Sequence, residues 1–308
     1  MILIISADND IITDEICRWL KYQNKNFVRL NENQIITNVF FDLNKNIYKI
    51  SIDNQEFDLK SFNSIFYRNG NVKFEKQFSE LDSPLQEFYN SEYESIISFL
   101  KFFLEKNETR IYGNLFNPII NKLNVLYTAK QIGLKIPETY VFTSSEDLFS
   151  IDFSKEYITK SISEMLPIFY KNDLYLNYTR DVNIEKIIIE KRTLIPTKIQ
   201  SKINKSFEIR VFFFENKIWS IATFEFTKNT DVRNIKASEK KYIPYVLPKH
   251  ICEKVILLKN KLGLKCGTID FLKTNKEFYF LEINPLGQFY EVSYYGNYNI
   301  EKYIAELL

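Results

Sequence analysis

The segment Thr268–Phe289, TIDFLKTNKEFYFLEINPLGQF, constrains the fold most. Two apolar, strand-forming runs flank a polar turn, yet the runs carry Asp270, Glu282 and Asn284. Side chains on a strand alternate faces with period two. Paired as an antiparallel hairpin, Thr268–Lys273 and Phe278–Ile283 therefore put Glu282 and Asn284 on one face. Asp270 joins them when the loop has an odd number of residues. A three-residue loop, Asn275-Lys276-Glu277, sets Asp270 directly opposite Glu282. A four-residue loop sends the two acids to opposite faces, each solvated on its own.

In the odd case two carboxylates about 5 Å apart repel by on the order of 3 kcal/mol at an effective dielectric near about 20. A divalent cation relieves that repulsion. Mg²⁺ takes hard oxygen ligands and usually borrows the rest from phosphates and water. Asp270, Glu282 and the Asn284 carboxamide oxygen would supply three such ligands on one surface. The even case needs no metal, and the hairpin alone leaves both arrangements open.

Composition narrows the classes. The chain has 308 residues, enough for one large or two to three small compact domains with a true core. Hydrophobic residues make up 45 %, which argues against disorder. Net charge is only +2 with acids and bases mixed along the chain, so neither nucleic acid nor membrane is indicated as a partner. The opening MILIISAD lacks the basic start and long apolar core of a signal peptide, and there is no apolar run of roughly 18 residues to span a bilayer. The scattered Cys17, Cys252 and Cys266 suit a reducing cytosol, so a cytoplasmic protein is expected.

His250 is the one histidine, and a Ser-His-Asp or Cys-His mechanism would have to use it. Multi-histidine zinc sites are excluded. The glycines form neither G-x-x-x-x-G-K-[ST] nor G-x-G-x-x-G. A bound nucleotide would be held by neither a P-loop nor a Rossmann turn.

Periodicity divides the chain. Ile2–Ser6 predicts a buried strand, Asp10–Lys21 a helix with Ile12, Ile16, Trp19 and Leu20 on its apolar face, and Phe27–Leu30 a second strand. Val39–Ile52 predicts one or two antiparallel strands, Ser64–Arg68 a strand closed by Asn69-Gly70, and Pro84–Phe103 a long helix. This βαβ-like opening, ending near Tyr112, predicts an N-terminal α/β domain. Asn117-Pro118 predicts a helix start, and Gly133 with Ile136-Pro137 its end. Strands are predicted over Tyr140–Thr143, Tyr157–Lys160, Ile187–Arg192, Lys198–Ile203, Glu208–Phe214 and Ile218–Phe226. Helices are predicted over His250–Leu262 and Ile300–Leu308.

CGTIDFL followed by FYFLEINPLGQF resembles the metal-binding end of the ATP-grasp fold, where an acid on one strand and an E-x-N on the next hold Mg²⁺ around the ATP phosphates. More narrowly, FLEINPLGQF…SYYGNYNIEKYIAELL is similar to the ATP-grasp peptide maturases of the graspetide or microviridin type, especially the branch encoded beside a SPASM-type radical protein. The similarity runs from about Ser64 to the C terminus and is strongest after Gln200. It implies an α+β chain, an ATP-grasp fold preceded by an N-terminal α/β (pre-ATP-grasp) domain, divided as 1–115, 116–186 and 187–308.

The resemblance also assigns residues. Asp270, Glu282 and Asn284 match the metal ligands. Arg210 in SFEIRVFFF matches the arginine of a D/E-x-R strand, which implies contact with the γ-phosphate and the acyl phosphate, and Arg233 in TDVRN matches a second, D-x-R arginine; the resemblance implies a catalytic role for both. Lys160 matches a lysine that reaches the α-phosphate and adenine, and Lys122 an earlier nucleotide-contacting lysine. Gln200, Ser201, Lys202 and Ile203 match the hinge whose backbone reads adenine. FYRN at 66–69 resembles a W-Y-R-R motif, with Arg68 kept and Asn69 in place of the second arginine. Where many ATP-grasp enzymes follow the lysine with a glycine-rich loop, KSISEMLPIF has no glycine; Ser161 and Ser163 offer hydroxyls instead.

The implied activity is an ATP- and Mg²⁺-dependent ligase that activates Asp or Glu side chains of a ribosomally made precursor peptide and joins them to Thr or Ser hydroxyls or Lys amines. The leader of that peptide is expected to engage residues 1–115, and family members often form homodimers. Two other readings remain: a ligase that adds an amino acid to a peptide or protein terminus, and a nucleotide-binding regulatory module without turnover.

Overall fold

The run ILIIS forms β1 (Ile2–Ser6), buried along its whole length. A strand apolar at successive positions needs cover on both faces, as in a parallel sheet. The computed structural model, which describes all residues except 71, 76–81, 108, 116–119, 164–167, 172, 176–177, 190–194 and 226–239, supplies that cover. β1 pairs in parallel with β2 (Phe27–Asn31) and β6 (Ser64–Tyr67), and β6 pairs with β8 (Arg110–Tyr112). The helix α1 (Ile11–Tyr22) is capped by Asp10, which accepts from the N–H groups of Ile12 and Thr13. Ile2 and Ile4 pack with Ile12, Ile16 and Leu20 of α1. Leu3 and Ile5 face the other way, onto β3 (Ile35–Asp42), β4 (Ile47–Ile52), β5 (Gln55–Asp58) and α2 (Ser83–Lys106) through Ile36, Ile50, Phe57 and Leu100. With β7 (Lys73–Phe74), these strands make a second sheet of order β5-β4-β3-β7.

The middle of the chain builds a smaller layer. β9 (Thr139–Phe142), β10 (Tyr157–Thr159), β13 (Arg180–Val182) and β14 (Thr197–Ser201) form an antiparallel sheet of order β13-β10-β14-β9. A hairpin of β11 (Ile168–Tyr170) and β12 (Asp173–Tyr175) stands beside it. The helix α3 (Lys122–Gln131) is capped by Asn121, whose Oδ1 accepts from Leu123 and Asn124 at 2.9 and 3.1 Å. The Asn117-Pro118 start expected from sequence lies outside the described residues.

One expected strand is a helix. Ile187–Ile189 belongs to α4 (Ile184–Ile189), and 190–194 lie outside the described residues. Three successive isoleucines, Ile187–Ile189, read as a β segment. The local capping group decides otherwise: Asn183 Oδ1 accepts from Lys186 N–H at 2.8 Å. Helical spacing then lets Ile184, Ile187 and Ile188 pack with Leu148 and Tyr157.

The last third forms an antiparallel sheet of β15 (Phe207–Phe214), β16 (Lys217–Glu225), β17 (Lys240–Pro244), β18 (Cys266–Lys273) and β19 (Phe278–Asn284), in the order β17-β16-β15-β18-β19. Ile209, Val211 and Phe213 of β15 and Ile269 and Phe271 of β18 point into a core with α3 and α5 (Lys249–Lys261). On the opposite face Phe212 and Phe214 join the core that contains β1 and α1, while Glu208 and Arg210 leave that cover. The short α6 (Tyr290–Gly296) follows β19, and α7 (Ile300–Leu307) ends the chain. Ile300, Ile304 and Ala305 of α7 pack with Ile12 and Ile16, so the C terminus completes the core of the N-terminal sheet. β17 and α6 had no clear signature in the sequence. Among the described residues no helix is long and apolar enough to cross a membrane.

Candidate active site

The two acids meet across the closing hairpin, but not by the odd loop that a regular ladder would require. The turn holds four residues, Thr274–Glu277, with Lys273 opposite Phe278. On a regular ladder this turn would separate the acids. The ladder instead shifts between Phe271↔Phe280 and Asp270↔Glu282, leaving Leu281 as the extra residue of a β-bulge. The bulge puts Asp270 opposite Glu282.

On the other side of β18, Arg210 lies opposite Asp270. Directly opposed residues share a face, so Arg210, Asp270 and Glu282 form a row across three strands. Asn284, two residues past Glu282, shares that face. Its Oδ1 accepts from Leu286 N–H at 2.9 Å. A carboxamide oxygen has two lone pairs, so this bond still permits ligation.

Two lysines reach the row from the middle of the chain. Lys160, just after β10, places Nζ 3.3 Å from Glu282 Oε2, and Lys122, the first residue of α3, places Nζ 3.9 Å from the same oxygen. Burial pushes the Glu282 carboxyl up, but Lys160 and Lys122 together hold it below the usual glutamate range. Asp270 differs: burial raises it, Arg210 opposes the rise, Glu282 adds to it, and the net shift is upward. Arg210 is itself held from outside the row. Its Nη2 donates to Gln288 O at 3.3 Å and its Nη1 lies 3.9 Å from Glu291 Oε2.

The hinge follows the same sheet geometry. Gln200 is 1 % exposed and donates from Nε2 to Thr139 Oγ1 at 2.9 Å. The N–H groups of Ser201 and Lys202 donate to Glu138 O and Glu156 O at 2.9 and 2.8 Å, and Ile203 follows between β14 and β15. The Lys202 ammonium pairs with Asp181 at 2.7 Å. Arg233 lies outside the described residues.

Sequence reasoning missed Lys198. It is 1 % exposed, donates from Nζ to Ser161 O at 2.8 Å, and adds to the positive field at Glu282. It lies two residues before Gln200, hence on the same face of β14. The available signal was a lysine in the middle of the strand TKIQS, where charge is rare unless paired. Also missed was the buried cluster beside Asp270, in which Lys205 Nζ bridges Glu208 and Glu225 at 2.5 and 2.7 Å. Burial raises the Glu208 carboxyl. His250 packs edge-on to Phe278 in the first turn of α5, a structural position. Burial raises all three cysteine thiols, Cys266 to about 12.

The donor set fits a hard divalent cation that shares its shell with a ligand. It offers two opposed carboxylates and a carboxamide oxygen, all oxygen donors. Among the described residues no three His, Cys, Asp or Glu side chains gather into a closed cage. Mg²⁺ bound through phosphates needs only one or two protein carboxylates. Two cavities, of about 680 and 410 Å³, lie elsewhere; neither is lined by Arg210, Asp270 or Glu282.

No family model and no curated protein matches the chain. Solved structures do. A RiPP-associated ATP-grasp ligase of Chryseobacterium gregarium, in complex with ADP and a leader and core peptide, aligns over 100 % of this chain and 96 % of that one, with TM-score 0.79 and 23 % identity. The chain has the ATP-grasp fold. The macrocyclase MdnC of Microcystis aeruginosa, bound with precursor peptide MdnA, covers 100 % of this chain over 99 % of its own, with TM-score 0.78 and 23 % identity. The ATP-grasp ligase PsnB, complexed with a minimal precursor, Mg and ADP, covers 99 % of this chain over 96 % of its own, with TM-score 0.72 and 13 % identity. The likeness thus extends over the whole chain, including the N-terminal sheet built on β1.

Proposed function

We propose that this chain is an ATP-dependent ligase that closes side-chain links in a ribosomally made precursor peptide. The observation that carries the reading is the row Arg210–Asp270–Glu282 with Lys160 and Lys122 at its end. It is supported by the ATP-grasp ligases of the same fold, whose structures hold ADP, Mg and precursor peptides. The proposed division is 1–115 for the N-terminal unit and 116–186 and 187–308 for the two units that clasp nucleotide.

The reaction follows from the charges. Lys160 and Lys122, paired with Glu282 here, turn toward the phosphates of ATP when these arrive. Asp270, Glu282 and Asn284 would hold Mg²⁺, which would supply positive charge to the phosphates. The hinge Gln200–Ile203 presents backbone groups to adenine. A precursor carboxylate oxygen attacks the γ-phosphorus, the bond to ADP breaks, and ADP leaves. Arg210 stabilises charge on the transferring group, and Arg233 is assigned a second contact there. A Thr or Ser hydroxyl, or a Lys amine, then attacks the acyl carbon. Phosphate departs with its oxygen, and the nucleophile's proton is released. Water must be kept out, because it would hydrolyse the acyl phosphate.

Incubating the protein with Mg-ATP and its precursor tests this. The expected result is ADP release with loss of one water's mass per linkage from the peptide. A gain of mass would instead favour the ligase that appends an amino acid, and nucleotide binding without ADP release would favour a regulatory module. The leader is proposed to dock on the N-terminal unit. Leader affinity should fall when exposed residues of that unit are substituted, and unchanged affinity would reject the docking site.

A further inference from the structure

The loop between β19 and α6 is gripped from several sides. Asn284 holds it from within: its Oδ1 accepts from Leu286 N–H at 2.9 Å and its backbone oxygen from Gly287 N–H at 3.1 Å. Gly287 has φ +59°, and a Cβ there would lie 3.0 Å from the Phe212 ring and 3.4 Å from Gly267 Cα. The loop therefore sits hard against the sheet.

The remaining grips come from far away in sequence. Arg68, 6 % exposed at the end of β6, donates from Nη1 to Leu286 O, and its guanidinium lies 5.8 Å from the Phe289 ring centre. Its Nε stands 3.4 Å from Asp10 Oδ2. Asn114, just after β8, donates from Nδ2 to Pro285 O at 2.7 Å and to Cys266 O at 3.1 Å, and its Oδ1 accepts from Lys265 N–H at 3.2 Å. On its other side the loop gives a carbonyl to the active-site row, Gln288 O to Arg210 at 3.3 Å. One short loop thus links two side chains of the N-terminal unit to Asn284 and Arg210.

We propose that Arg68 and Asn114 are positioning residues for the reaction proposed above, setting the height of loop 285–288 and, through it, the Asn284 carboxamide and the Arg210 guanidinium. On this view the N-terminal unit helps to assemble the nucleotide site in addition to any role in peptide recognition. The inference rests on the proposed Mg-nucleotide role of the row. Neither side chain touches the row, so each acts through the loop carbonyls.

Arg68 is buried against Asp10, and Arg68→Ala is a folding risk. Asn114→Asp is close to isosteric. It keeps the oxygen that accepts from Lys265 and replaces only the donors to Pro285 O and Cys266 O. The experiment compares full-length wild type, Asn114→Asp, Asn114→Ser and Arg68→Lys in three readouts: calorimetric binding of ADP with and without Mg²⁺, turnover on the precursor, and thermal melting.

The expected pattern for Asn114→Asp is metal-free ADP binding within about twofold of wild type, with Mg²⁺ enhancement of binding and kcat lowered about 10- to 100-fold, the scale of a 1 Å misplacement at a reacting centre. Asn114→Ser, a neutral donor, should recover part of the loss, and Arg68→Lys, which keeps a charge and a donor, should show a smaller loss of the same kind. Wild-type-like Mg²⁺ enhancement and kcat in Asn114→Asp would overturn the positioning role alone. So would metal-free ADP binding that falls in step with kcat and melting temperature, since that pattern marks general destabilisation. A wild type whose ADP binding gains nothing from Mg²⁺ would overturn the proposed role of the row and the inference with it.

Discussion

Lys160 and Glu282 form an ion pair of 3.3 Å between residues 122 positions apart, and Lys122 joins the same carboxylate oxygen. The protein therefore holds two positive groups ready beside its acid row. Glu282→Gln should remove the pairing of both lysines with this carboxylate. Metal-free ADP should bind as well as or better than in wild type, while Mg-dependent turnover should fall by about 100-fold or more. Calorimetry and an ADP-release assay would check both arms.

Asp270 carries the opposite electrostatic sign. A carboxyl raised in the folded state keeps its proton to higher pH than the unfolded chain does. The folded state is thus penalised as pH climbs from the ordinary aspartate value, about 3.9, through the raised one. Asp270→Asn removes that penalty. Without metal the variant should melt above wild type at neutral pH, yet lose the rise in melting temperature that Mg-ATP gives. Scanning calorimetry with and without Mg-ATP reads both effects.

Glu282 responds to acid in the reverse sense. Its folded value lies below the ordinary glutamate value, so its pairing stabilises the fold above that value and is lost as pH falls through the depressed one. Acid unfolding of Glu282→Gln should begin from a lower baseline at neutral pH and fall less steeply in the carboxylate range than wild type. A circular-dichroism pH titration checks the slopes.

Lys198 is buried with its ammonium on the Ser161 carbonyl, one residue from Lys160. Lys198→Met keeps most of the volume and removes that tether. KM for ATP should rise about 10- to 100-fold, on the scale of a lost charged hydrogen bond of about 1.5–3 kcal/mol. Steady-state kinetics at saturating peptide would measure it.

Ile304 of α7 is fully buried against Ile12 and Ile16 of α1. Ile304→Ala should cost about 2–5 kcal/mol. Because α7 lies in the core of the N-terminal sheet, fluorescence and circular-dichroism melts should shift together rather than split into two transitions.

Local pattern made much of this legible. The ILIIS strand, the strand over Glu208–Phe214 and the helix opening near Asp10 are all set over a few residues, and each is found where periodicity puts it. The acid pair was legible as a possibility only, because loop length and register are set jointly and Leu281 reads like any other strand residue. The α4 segment was misread because β-branched composition outweighed a single capping asparagine. Arg68 could be noticed as a motif residue, but its bond to Leu286 O joins positions 218 apart and has no signature in spacing. Lys198 was not singled out, since only the packing of β14 between β10 and β9 makes its position an interior one.

The irregularity at Leu281 has a consequence for finding kindred chains. An even turn with one supernumerary residue and an odd turn with none give the same meeting of Asp270 and Glu282. Dropping Leu281 would leave the acids still abreast on an uninterrupted ladder. The interval between the two acids is therefore free to vary by a residue while their encounter is kept, and a search template that counts it rigidly will overlook chains that reach the same geometry with a different tally.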